Sequence, residues 1–295
     1  MIKIIKYYIL SLRVKQWTKN LLLFAGLVFS RNLTSPAYVL NACVGFALFS
    51  FCAGNVYVLN DIKDRKKDEL HPEKRNRPIA SGNLSVVAGL IMSCISLIVV
   101  SLFSFIYYRQ FSYVLFFYIG LQIFYTLIGK NIVIIDILAI GLGFVLRAMA
   151  GAVIINVPVS PWLLLCTYLL ALFLAAAKRK YELTQYENGV IKLTRTTLEF
   201  YSNKLLDQII SAVTASTIMS YALYTIDPVT VNKFKTTSLI YSVPFVMYGL
   251  FRYLYLIYKE NSGGSPDKVI LKDSHIILNL VLWILSILII IYNAG

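Results

Sequence analysis

Asn60-Asp61-Ile62-Lys63-Asp64-Arg65-Lys66-Lys67-Asp68 follows a long apolar run and leads into His71-Pro72-Glu73-Lys74-Arg75-Asn76-Arg77-Pro78. On a helix, Asn60, Asp64 and Asp68 recur every four residues and stack along one face. Acidic residues at the end of a membrane span repel one another and cost desolvation energy. A divalent cation relieves both penalties, and oxygen ligands of this kind suit Mg2+ shared with substrate phosphates. Asn60, Asp64 and Asp68 are therefore the candidate metal ligands. Lys74, Arg75 and Arg77, just downstream, have the chemistry to hold the remaining phosphate charge. A solvated loop rich in both signs is the plainer alternative. It leaves the regular spacing of the carboxylates unexplained, since topology alone needs only positive charge.

Around this stretch the chain is mostly apolar. It has 295 residues, of which 58% are hydrophobic and 14% charged, against roughly 25% charged in ordinary soluble domains. Mean hydropathy is +0.71. Runs near the ~20 residues that cross a bilayer recur from end to end, which predicts an all-α, polytopic membrane protein. Nine spans are expected, at about Trp17–Leu33, Tyr38–Asn60, Ser85–Tyr107, Phe111–Gly129, Ile132–Ile155, Pro161–Glu182, Leu205–Tyr224, Thr237–Tyr258 and His275–Tyr292. Turn residues separate them, among them Thr34-Ser35-Pro36, Ser81-Gly82-Asn83, Asp227-Pro228 and Ser262-Gly263-Gly264-Ser265-Pro266. The first span is short and opens on the polar run Gln16-Trp17-Thr18-Lys19-Asn20. No long polar segment divides the chain, so residues 1–295 are expected to form one domain. The start, Met1-Ile2-Lys3-Ile4-Ile5-Lys6, reads as a retained amphipathic lead-in without a cleavage site.

Charge sets the expected orientation. With the N-terminus in the cytoplasm, 23 of the 28 Lys and Arg residues fall on that side, 4 on the other, and Arg147 within a span. That asymmetry places the acidic stretch at the cytoplasmic face of the cell membrane. The net charge of +14 is largely this bias. The same cations can draw an anionic lipid and a polyanionic soluble substrate to that face. No basic aromatic platform lies outside the membrane, so nucleic acid is not an expected partner. Cys43, Cys52, Cys94 and Cys166 sit inside apolar segments at no metal-ligand spacing and read as small hydrophobes. His71 and His275 likewise lack partners at metal spacing.

Asp136 is the acidic residue in mid-span, and Arg147 follows eleven residues later, three turns on and about 20° around the helix. They are too far apart to touch, yet both must face the bundle interior or a wet cavity. They read either as a polar wall of an active site or as structural charges that bind neighbouring helices. Lys178-Arg179-Lys180-Tyr181-Glu182 ends the sixth span, where Lys178 and Glu182 have the spacing of a helical pair. Tyr125 and Lys130 end the fourth. Three span ends on one side thus carry phosphate-binding capacity.

Taken together, these residues resemble the UbiA superfamily of intramembrane transferases, and within it the polyprenyl-phosphate phosphoribosyltransferases. The resemblance rests on Lys15–Asn20, on Asn60–Asp68 with His71–Gly82, on Tyr125, Lys130, Asp136, Arg147-Ala148 and Gly151, on Lys178-Arg179 with Glu182, and on Pro244–Tyr253. It implies a nine-helix bundle whose active-site cavity opens to the cytoplasm and to lipid. Relatives that prenylate aromatic acceptors usually carry a second Asp-x-x-x-Asp near the end of the sixth span. Here Lys178-Arg179-Lys180-Tyr181-Glu182 stands in that place. Extra cations suit a donor with both a diphosphate and a 5-phosphate, namely phosphoribosyl diphosphate. The implied reaction is Mg2+-dependent transfer of 5-phosphoribose to a polyprenyl phosphate of the decaprenyl type, for lipid-linked pentose in cell-envelope polysaccharide synthesis.

The resemblance also implies the roles. Asn60, Asp64 and Asp68 hold Mg2+, with Asp61 contributing through its neighbours. Lys130, Arg147, Lys178 and Arg179 clamp phosphates, and Lys19 lies near the lipid phosphate. Asp136 orients a cation or a ribose hydroxyl, and Tyr125 and Glu182 complete the substrate contacts. Self-association is left open. Two rival readings stay open as well: prenyl transfer to an aromatic or other small acceptor, and a lipid-linked carrier or transporter.

Overall fold

The computed structural model describes residues 2–70, 74–189, 196–259, 269 and 272–293. His71, Pro72, Glu73 and the expected turn at Ser262–Pro266 lie outside the described residues.

Among the described residues the chain is helical, without strands. α1 (Ile2–Ser11) is followed by a 3-10 stretch (Val14–Leu23) and α2 (Phe24–Phe29). The long helices are α3 (Pro36–Glu69), α4 (Val86–Tyr107), α5 (Arg109–Leu127), α6 (Ile135–Ile154), α7 (Pro161–Glu187) and α8 (Asn203–Ile226). The short α9 (Pro228–Phe234), α10 (Val243–Tyr258) and α11 (Ser274–Asn293) complete the order. The starts follow from local chemistry. Pro36, Pro161 and Pro228 each open a helix, where a missing N–H costs nothing. Ser85, Ser160 and Ser202 accept a bond from the first turn of α4, α7 and α8.

Among the described residues, eight helical segments are long and apolar enough to cross a membrane, and this is a multi-pass membrane protein. Large apolar side chains such as Ile91, Ile95, Ile98, Val99 and Leu102 of α4 face outward, as lipid-facing residues do. The expected span at Trp17–Leu33 differs from the others. It is broken into the ten-residue 3-10 stretch and the six-residue α2, so neither piece has spanning length. Arg13 takes a left-handed conformation (φ 53°) just before it, and the polar run Gln16–Asn20 interrupts the apolar face.

Two compact units are distinguishable, Met1–Leu127 with Leu146–Val159, and Ile128–Val145 with Ser160–Gly295. In the first, Leu23, Leu27, Phe49, Phe111, Leu115, Tyr118, Ala150 and Ile154 form a core, and Tyr8, Leu12, Val58, Ile79 and Leu84 form a smaller one. In the second, Ile137, Phe173, Ala176, Leu206, Ile210, Leu250 and Tyr253 lead the core.

Gly151 shows how tightly the first core is built. A Cβ there would lie 1.9 Å from the carbonyl oxygen of Leu23, and backbone has no soft end to give way. Gly151→Ala is therefore expected to cost at least about 2 kcal/mol. Thermal melting of the purified protein checks this, and an unchanged midpoint contradicts the packing.

Candidate active site

The acidic stretch is not a loop but the last turns of α3. At 1.5 Å per residue its 34 residues extend about 51 Å, well beyond the ~30 Å apolar thickness of a bilayer. Asn60 and Asp64 are half-buried, while Asp61 and Asp68 are 2% and 4% exposed. The carboxylates are covered by arginines. Arg77 Nη1 lies 3.0 Å from Asp61 Oδ1 and 2.5 Å from Asp68 Oδ2, and Arg13 Nη2 also bonds Asp61 Oδ1. Arg13 in turn lies over the Tyr57 ring, 5.1 Å from its centre. On the helix, Asp61, Asp64 and Asp68 fall within about 60° of one another, a tighter grouping than the roughly 80° spread of Asn60, Asp64 and Asp68.

Lys74 is half-buried and Arg75 exposed in the 3-10 turn Lys74–Asn76, beside Arg77. Lys63 Nζ donates to the carbonyls of Thr126 (3.0 Å) and Leu127 (3.4 Å), tying the end of α5 to the acidic turns. Tyr125, half-buried, stands one residue before that tie.

Deeper in the same unit, Arg147 is 5% exposed. Its Nε donates to Asn20 Oδ1 (2.8 Å) and its Nη2 to the Tyr118 hydroxyl (2.9 Å). The guanidinium also lies 5.6 Å from the Phe49 ring centre and 5.0 Å from that of Tyr118. Asn20 Nδ2 passes the network on to Ser50 Oγ (3.0 Å). Lys19, half-buried, precedes Asn20 in the 3-10 stretch.

The second unit holds Asp136, Lys178, Arg179 and Glu182. Asp136 is 0% and Arg179 1% exposed. Arg179 Nε donates to Asp136 Oδ2 (2.7 Å) and its Nη1 to Glu182 Oε2 (2.9 Å). Lys178 Nζ stands 4.0 Å from Glu182 Oε1, which is the expected pair. Tyr201 donates to Asp136 Oδ1 (2.7 Å) and accepts the Ile134 N–H (2.7 Å). Burial, and then the bond to Asp136, push the Tyr201 phenol well above its ordinary value. Asp136 thus orients a cation, Arg179. Lys130 is half-buried in the 3-10 turn Gly129–Asn131.

Arg13, Tyr118 and Tyr201 are partners that the sequence did not disclose. Each lies at least 29 residues from the group it meets. No periodicity signals contacts at such separations.

Asn60, Asp64 and Asp68 offer oxygen atoms on successive turns, the donor type that a divalent cation takes. Asp61 and Asp68 are already paired with one nitrogen of Arg77, which a cation at Asp68 would have to share or displace. Among the described residues, no group of three or more His, Cys, Asp and Glu side chains is gathered as a ready-made metal cage. An ion shared with substrate phosphates needs no such cage.

The chain is similar to known proteins along most of its length. A model of the UbiA prenyltransferase family matches residues 21–291. A decaprenyl-phosphate phosphoribosyltransferase of Corynebacterium glutamicum is 32% identical, covering 96% of this chain and 86% of its own. That of Mycolicibacterium smegmatis is 27% identical, covering 93% and 89%. A solved UbiA homolog from Archaeoglobus fulgidus bound to GPP and Mg2+ superposes with a TM-score of 0.71 at 18% identity, over 97% of this chain and 99% of that one.

Proposed function

Since the chain belongs to the UbiA prenyltransferase family, we propose that it transfers 5-phosphoribose from phosphoribosyl diphosphate to a polyprenyl phosphate of the decaprenyl type, releasing diphosphate. The observation that carries the donor assignment is Lys178-Arg179-Lys180-Tyr181-Glu182, a cationic stretch of α7 at the place where the resemblance implies an acidic pair in relatives that prenylate aromatic acceptors. The named relatives that cover most of the chain support the same reading.

In the reaction, the bond from ribose C1 to the diphosphate oxygen breaks as the bond to the lipid phosphate oxygen forms, with inversion at C1. The lipid phosphate is already an anion, so no general base is required. Mg2+ bound at Asn60, Asp64 and Asp68 would neutralise charge developing on the leaving diphosphate. Asp61 holds Arg13 and Arg77 beside those ligands, and Lys74 and Arg75 add positive charge for phosphate oxygens. Arg147 and Lys19 serve the lipid phosphate, with Tyr125 at the substrate. Lys130 and Lys178 meet donor phosphates, while Arg179, buried and paired with Asp136 and Glu182, holds the frame beside them rather than clamping phosphate itself. The N-terminus and these sites face the cytoplasm, and residues 1–295 act as one transferase.

Lys130 gives the direct test of the donor contact. Lys130→Ala is expected to weaken phosphoribosyl diphosphate by roughly 1.5–3 kcal/mol, about a ten- to hundredfold rise in its KM. The KM for polyprenyl phosphate should stay near its original value. Mass spectrometry of the lipid product identifies the transferred group. A prenylated small acceptor formed from an isoprenoid diphosphate, with phosphoribosyl diphosphate ignored, would replace this reading by prenyl transfer. Movement of a lipid-linked substrate without bond cleavage would replace it by carriage.

A further inference from the structure

The turn that carries Lys130 into α6 is held in a conformation its residues disfavour. Ile134 sits at φ 70°, in the left-handed region where a β-branched side chain is a genuine outlier. Strained backbone persists only where surrounding contacts over-determine it. Here the contact is one hydroxyl. Tyr201 accepts the Ile134 N–H at 2.7 Å and donates to Asp136 Oδ1 at 2.7 Å. Asp136 is locked in turn by Arg179, and Arg179 by Glu182. Tyr201, Asp136 and Arg179 are all buried.

Val133, beside Ile134, packs against the apolar core of the same unit, and further hydrogen bonds run within the turn. Asn131 N–H bonds Ile128 O and Ile132 N–H bonds Gly129 O, both within the turn itself. Downstream, Asp136 N–H returns to Ile132 O and Leu138 N–H to Ile134 O, which starts α6. Ile134 is itself 47% exposed, so its own side chain adds little packing to fix the bend.

From this geometry we infer that Tyr201 is a positioning residue for donor binding: its hydroxyl pins the left-handed bend at Ile134 and so sets where Lys130 stands. The inference rests on the reading of Lys130 as a donor-phosphate contact. A cation that is already in place when the phosphate arrives loses less freedom on binding than one on a loose turn. Tyr201 meets no substrate in this account. It acts through the turn.

Tyr201→Phe removes one oxygen and keeps the ring. Loss of that hydrogen bond is expected to raise the KM for phosphoribosyl diphosphate about three- to tenfold. kcat should change by less than about twofold, and the KM for polyprenyl phosphate should not move. In hydrogen–deuterium exchange, amides of residues 128–136 should exchange faster by a similar factor, with the core of α7 unchanged.

Ile134→Gly supplies the rescue, because glycine adopts positive φ without strain. In that background, adding Tyr201→Phe should leave the donor KM within about twofold. The same background keeps the comparison available if Tyr201→Phe alone is too unstable to purify. Equal rises in both KM values, an unchanged donor KM in folded Tyr201→Phe, or an equally large penalty in the Ile134→Gly background would each overturn the inference. If the unaltered protein shows no turnover with phosphoribosyl diphosphate, the functional reading fails in that control. Exchange over residues 128–136 then decides the Tyr201 claim alone, and unchanged exchange overturns it.

Discussion

Asp64→Asn should reduce turnover by at least about a hundredfold while leaving the protein folded. The residue is half-buried near the end of α3 and belongs to neither apolar core of its unit, so the change removes charge and little apolar packing. A lost group that faces developing charge in a transition state typically costs ~10²–10³ in rate. Asp68→Asn is expected to be as severe for turnover but less clean, because Asp68 also receives Arg77 at 2.5 Å. Loosening that tie disturbs the chain that returns from α3 toward Ile79 and Leu84, both fully buried. Metal binding gives an independent reading: Mn2+ monitored by electron paramagnetic resonance should lose affinity in Asp64→Asn. Retained turnover and unchanged Mn2+ affinity in the folded variant would remove Asp64 from the metal site.

The second large effect falls on stability. Arg179→Met leaves Asp136, with no solvent exposure, without its cationic partner. Breaking a buried pair by removing one member costs ~3–5 kcal/mol. That is a large share of the roughly 5–15 kcal/mol by which a domain is stable. The double variant Asp136→Asn with Arg179→Met no longer buries an unpaired charge and should recover most of the loss. Melting midpoints of the two variants and the parent decide it. An Arg179→Met protein as stable as the parent would show that Asp136 does not depend on the pair. For the same reason Arg179→Ala is a poor probe of donor affinity, and Lys130, half-buried on a turn, is the better one.

Local features of the chain were legible from the order of its residues. Hydropathy located five of the long helices to within a few residues, because a lipid-facing helix such as α4 must be apolar over most of its surface; it also found α3 and α7, which run nine and five residues past their expected ends because their last turns are polar. It also located the helical stretch at 238–258. The i,i+4 spacing of Lys178 and Glu182 gave the pair that the structure contains. Trp17–Leu33 was harder. Composition there resembles a short span, while the junction of 3-10 and α-helix at Leu23 lies against Gly151, more than a hundred residues away, a contact that local sequence does not announce.

The acidic turns illustrate the same division. Four-residue spacing singles out Asn60, Asp64 and Asp68. Which carboxylates converge was decided by Arg77 and Arg13, which reach Asp61 from 16 and 48 residues away. Asp136 and Arg147 read as buried charges from sequence, and both are buried, although Asp136 stands in the first turn of α6 and not in mid-span. Their partners Tyr201, Asn20 and Tyr118 come from other elements and could be found only once the chain was folded.

Phosphoribosyl transfer to a lipid phosphate depends on two substrates at once. The most direct measurement is diphosphate release by the unaltered protein in lipid nanodiscs with Mg2+, supplied with phosphoribosyl diphosphate alone, polyprenyl phosphate alone, or both. Phosphoribosyl transfer predicts release only with both, accompanied by a lipid whose mass has grown by one phosphoribosyl group. Release from an isoprenoid diphosphate instead, or none from phosphoribosyl diphosphate in the presence of polyprenyl phosphate, would contradict it.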